Sequence, residues 1–79
     1  MRLNPIRANM NELVISPTRK ILFSYSTPVC GYDKEGAFRT STYFSRTTTT
    51  HINQYLLGKD NGRVVTQEYI ESLLEIQEV

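Results

Sequence analysis

Apolar residues fall on alternate positions through the first half of the chain and at helical spacing through the second. ELVIS (12–16) is a short strand stopped by Ser16-Pro17-Thr18, where proline is preset for a turn. KILFSYS (20–26) puts Ile21, Phe23 and Tyr25 on one face and Leu22, Ser24 and Ser26 on the other, the period of a half-buried strand. Pro28 removes a backbone donor, so PVCGY reads as an edge strand or as a strand beginning at a bend. DKEG (33–36) is a hairpin loop on a type I turn closing at Gly36. AFRTSTYF (37–44) gives the clearest strand, rich in β-branched and aromatic residues. Residues 1–11 show no period and are predicted to be an arm or loop.

Beyond the threonine run the period changes. Ile52, Tyr55 and Leu56 share one helical face, and Gly58 suits the position just past a helix end. GKDNGR (58–63) is then a connecting loop, although Asp60-Asn61-Gly62 also reads as a hairpin turn between YLLG and RVVT. Thr66 caps a second helix, QEYIESLLEIQ, with Ile70, Leu73, Leu74 and Gln77 along one side. Strands first and helices second predict one α+β domain over residues 1–79: an antiparallel β-meander of three to four strands followed by two helices packed on one face.

Seventy-nine residues leave no room for a second core. A chain this short buries only about 60% of its unfolded surface, so a second copy or another partner would add stability. One cysteine, Cys30, precludes an internal disulfide and suits a reducing cytoplasm. The apolar runs are far shorter than the roughly 20 residues of a membrane span, and MRLNPIRANM lacks the apolar core of a secretory signal. A soluble cytoplasmic protein is expected.

The run SRTTTTHINQYL (45–56) brings four threonines against the single histidine, His51. Threonine is a poor helix-interior residue but a good N-cap, so Thr48, Thr49 or Thr50 is expected to start the helix and His51 to lie in its first turn. A site for an anion there would use Arg46, the spare hydroxyls and the helix start. Cys30 and His51 are the one candidate pair for nucleophilic chemistry, and their spacing gives no support for it. One Cys and one His do not make a metal site, and GKDNGR lacks the upstream glycine of a phosphate loop. No cofactor or metal is expected, and no enzymatic activity.

Net charge +1 conceals a polarity. Residues 1–50 hold seven cations against three acids, whereas residues 51–79 hold two against five. In the second helix Glu68, Glu71, Glu75 and Glu78 fall within an arc of about 80° beside an apolar flank, with no cation after Arg63. Such a row is a candidate docking surface for a protein with a basic surface. It also makes the helix unfit for a DNA major groove. Nucleic acid, the less favoured partner, would have to be met by the arm and sheet through Arg2, Arg7, Arg19, Lys20, Arg39 and Arg46, with Tyr25 or Tyr43 for stacking.

The segments NPIRANM (4–10), ILFSYSTPV (21–29), FRTSTYFSRTT (38–48) and HINQYL (51–56) resemble a family of short uncharacterised proteins from bacteriophages and their hosts. Members often carry a basic residue before the histidine, where this chain has Thr50, which weakens a phosphate site at the helix start. The resemblance implies a small phage accessory protein and transfers no catalytic role. In that setting a compact chain with a sided acidic helix is expected to inhibit or modulate a host factor, anti-defence action of the anti-CRISPR kind included. A small nucleic-acid-binding regulator is the alternative, and a minor virion or assembly component a third reading.

Overall fold

The strand Arg19–Ser24 is covered on both sides, which decides the architecture. Its neighbouring residues Ile21 and Leu22 point to opposite faces, and both are 0% exposed. A computed structural model describes residues 2–74. Within them the strands β1 (Arg2–Arg7), β2 (Met10–Ser16), β3 (Arg19–Ser24), β4 (Thr27–Asp33) and β5 (Gly36–Thr40) form an antiparallel meander. Helix α1 (Arg46–Leu56) then crosses one face and delivers β6 (Arg63–Val65) parallel to β5, and the short helix α2 (Gln67–Ser72) follows. The described strands make one mixed sheet in the order β1-β2-β3-β4-β5-β6.

The class is α+β as the sequence predicts, but the expected three to four strands are too few and the two helices do not share a face. Leu22, Met10, Val29 and Cys30 pack with Ile52 and Leu56 of α1, whereas Ile21 and Phe38 pack with Ile70 and Leu73 on the other side. The unbroken Ile21-Leu22-Phe23 run is what a strand buried on both faces requires.

Residues 2–11, the described part of the arm expected over 1–11, are not an arm. β1 is exposed along nearly its whole length, so nothing imposes alternation on its sequence. Asn9 takes φ 64° in the turn to β2, a conformation asparagine tolerates better than most residues. Nor does Pro28 mark an edge strand, because β4 runs between β3 and β5, directly after the turn at Tyr25 and Ser26. The register steps from Leu22–Cys30 to Phe23–Pro28, leaving Val29 as a bulge. A proline is tolerated where the ladder is already broken. β5 stops at Thr40, well short of Phe44, because the Thr40 hydroxyl accepts the amide of Thr42 at 3.1 Å.

α1 also begins earlier than expected. Ser45 is its N-cap, accepting the Thr48 amide at 3.1 Å, so none of Thr48, Thr49 and Thr50 holds that position. Serine caps as well as or better than threonine. The predicted Thr66 cap of α2 is present, its hydroxyl accepting the Tyr69 amide at 3.0 Å. The Asp60–Gly62 segment links helix to strand; RVV is a strand as the hairpin reading has it, but YLLG closes a helix.

Candidate functional site

With the cap at Ser45, His51 moves from the first helical turn to the second and points into the protein. Its Nδ1 lies 2.8 Å from the Ser24 hydroxyl, which in turn lies 3.0 Å from the hydroxyl of Thr48. This is the spacing of a nucleophile and its base. Ser24, however, is 2% exposed, so its oxygen is closed to a substrate. The three groups satisfy one another and pin the first half of α1 to β3, as buried polar atoms must be satisfied. Cys30 is enclosed in the α1 cluster; burial pushes its thiol up to about 12, against the opposing charge of Arg39, so it is protonated at neutral pH.

Arg39 is not available to nucleic acid. Its guanidinium donates to the carbonyls of Asn61 (2.9 Å) and Gly58 (2.8 Å) and to Asn53 Oδ1 (3.1 Å), tying the α1–β6 connection to β5. Arg39→Lys keeps the charge but not the fork of donors, and should cost about 1–3 kcal/mol in urea unfolding.

The other predicted cations do not converge as one surface. The meander sends Arg7 and, at the start of α1, Arg46 to one end of the sheet, and Arg2, Arg19 and Lys20 to the opposite end. At that second end the fold adds Lys34 in the β4–β5 turn, Lys59 in the α1–β6 loop and Arg63 at the start of β6. The last three were missed because each sits in or beside a turn, and only strand order brings those turns together.

Glu35 in the β4–β5 turn and Asp60 beside Lys59 also lie at this end, but Asp33 is the acid that is fully engaged. It accepts two bonds from Arg63 (2.9 and 3.3 Å), the Tyr69 hydroxyl (2.6 Å) and the Glu35 amide (2.9 Å), with its side chain 6% exposed. Burial works to raise its pKa, but the bonds from Arg63, Tyr69 and Glu35 together outweigh it and hold the carboxyl below the ordinary aspartate range.

Of the predicted acidic row, Glu68 and Glu71 are exposed on α2, while Glu75 and Glu78 lie outside the described residues. α2 carries no basic residue in its last turn, and among the described residues neither Glu68 nor Glu71 forms an ion pair. The Gln67 amide donates to the Pro28 carbonyl of β4 (2.7 Å) and to Glu71 (3.3 Å), which puts Glu71 on the β4 side of the helix. Past Ile21 of β3, toward β1, the same sheet face is only partly covered. There Leu3, Leu13, Phe23 and Tyr25 line a groove of about 280 Å³ with Asn11 and Ser26.

Among the described residues no three His, Cys, Asp or Glu side chains gather to hold a metal ion, and no helix is long and apolar enough to cross a membrane. The class defined by these features is a small mixed-sheet α+β domain with an apolar groove on one sheet face; among the described residues its buried side-chain polar atoms are paired internally except Gln67 Oε1. The chain belongs to a family of unknown function (DUF8033), whose model matches residues 1–72. No curated protein and no solved structure matches it.

Proposed function

We propose that this chain is a non-enzymatic binding protein, a phage accessory factor that occupies a host protein and inhibits or modulates it, anti-defence inhibition of the anti-CRISPR kind being one such role. The groove on the α2-side sheet face carries this reading. Leu3 is 59% and Tyr25 52% exposed there, beside half-buried Leu13 and Phe23. Contiguous apolar surface rimmed by polar groups marks interaction sites on soluble proteins. Glu71 on the α2 rim sets the sign of the complement: apolar side chains flanked by lysine or arginine. The sheet edges favour a partner on the face over one added edge to edge. β1 carries Arg2, Pro5, Arg7 and a register shift between Pro5 and Arg7, and β6 has three residues, all devices that blunt strand pairing.

Leu3→Asp and Glu71→Lys test the reading, because both positions are exposed and neither change should move the melting temperature. A host protein captured on the wild-type chain after nuclease treatment, then purified, is expected to bind each variant at least about tenfold more weakly, roughly the loss of one good interfacial contact. Equal affinity for wild type and both variants would remove the groove from the interface. A wild-type dimer dissolved by Leu3→Asp would assign the groove to a second copy and overturn the host-protein reading.

A further inference from the structure

The cationic end of the sheet has a cleft of its own. Pro17 and Thr18 of the β2–β3 turn, Lys20 of β3, Tyr32 and Asp33 of β4 and Lys34 of the β4–β5 turn enclose about 360 Å³. Lys20 and Tyr32 are directly opposed across the β3–β4 ladder, and Tyr32 packs against the α1 cluster, so this cleft opens on the α1 side. It is separate from the groove proposed above for a protein partner, and the inference does not depend on that proposal.

Three observations give the cleft its chemistry. Lys20 and Lys34 both line it, and among the described residues neither is in an ion pair. The one acid in its wall, Asp33, already accepts bonds from Arg63, Tyr69 and the Glu35 amide, so its charge is compensated from behind. Tyr32 leans on Tyr55, ring centroids 5.8 Å apart at 55°, and turns its remaining surface to the cleft. Further cations flank this core. Arg19 lines the neighbouring cavity with Thr18 and Lys34, a cavity that Asp33 and Glu35 also line, and Arg2 stands two strands from Lys20 in the same cross-strand row through Val14.

Two unpaired lysines across an aromatic floor, with cations continuing along the sheet end, match the way single strands are held: a positive track for phosphates and a ring for a base. We propose that this cleft binds single-stranded nucleic acid, with Lys20 and Lys34 on successive phosphates and Tyr32 against a base. The volume suits one nucleotide-sized group, being near the lower end for ligand pockets. Few phosphates are neutralised, so binding is weak and its salt dependence shallow, a slope of about −1.4 for two contacts.

The test uses the full chain and a fluorescent oligothymidylate of about 12 nucleotides, titrated at several salt concentrations between about 50 and 200 mM. Each phosphate contact contributes about −0.7 to the slope of log affinity on log salt for single strands. Lys34→Gln, at an exposed turn position, is expected to weaken binding several-fold and make the slope shallower by about 0.7, with the melting temperature unchanged. Lys20→Glu combined with Lys34→Glu should abolish binding. Unlabelled oligothymidylate should displace the probe better than inorganic polyphosphate of equal charge, because only the former offers a base to Tyr32. No binding by the wild type, an unchanged slope for Lys34→Gln, or equal competition by polyphosphate would overturn the assignment.

Discussion

Gly31→Ala is expected to lower stability by about 3 kcal/mol or more, at the top of the range for forcing an atom into a filled interior. Gly31 lies in β4, opposite Ile21 of β3 and Phe38 of β5. A β-carbon added there would stand 2.0 Å from the Lys20 carbonyl oxygen and 3.0 Å from the Ile21 Cα. Both obstacles are backbone, so no side-chain rotation relieves the clash and β3 must separate from β4. Those strands carry the middle of both apolar clusters, through Ile21 and Leu22 on β3 and Val29 and Cys30 on β4. Small domains have only about 5–15 kcal/mol in all. The urea midpoint should fall accordingly; an unchanged midpoint would mean that β3 and β4 are not in this register. Gly36, with open space around its missing β-carbon but φ 107°, is the comparison. There alanine meets only backbone strain, of order 1–2 kcal/mol.

Asp33→Ala should be the other severe change, costing about 2–4 kcal/mol, because hydrogen bonds to a charged group are worth about 1.5–3 kcal/mol and several go at once. The carboxylate joins the β4–β5 turn to Arg63 of β6 and Tyr69 of α2, three elements distant in sequence. Its loss frees the edge strand and the short helix together. The effect carries a pH signature. Asp33 has its pKa lowered in the folded state, burial opposing and the bonds from Arg63, Tyr69 and Glu35 prevailing. Its stabilisation is therefore complete above the unfolded aspartate value of about 3.9 and is lost as pH falls through the lower folded value. Urea midpoints measured downward from neutral pH should fall more steeply for the wild type than for Asp33→Ala, the two curves converging in acid. Parallel curves would show that Asp33 does not hold these bonds.

Local signals in this chain were those in which a short segment supplies its own partners. The Thr66 cap, the DKEG hairpin and the 3.6-residue spacing of Ile52, Tyr55 and Leu56 satisfy their bonds or define a face within a few residues, and each could be read directly. β1 could not, and β6 was legible only as one arm of the alternative hairpin reading. The first is exposed on both sides at the sheet edge, and the second is a Val-Val pair too short to set a period. Both become strands only because a neighbour supplies the ladder. The Thr40 hydroxyl bond that ends β5 and the Ser45 cap that displaced the threonines were choices among several residues of similar chemistry, settled by where the chain had to turn.

The candidate sites divide the same way. Composition and spacing determined a polarised charge, the exposed Glu68 and Glu71 of α2, and a strand-to-helix order that makes the class α+β. Only the tertiary structure decided that Arg39 is held by loop carbonyls, that His51 is buried against Ser24, and that Lys20 and Lys34 flank one cleft. It also put α1 and α2 on opposite faces, leaving a groove open on one of them. The reason is distance along the chain. Periodicity reports on neighbours a few residues apart, whereas a cleft between two turns or a carboxylate shared by three elements exists only after strand order has brought remote residues together.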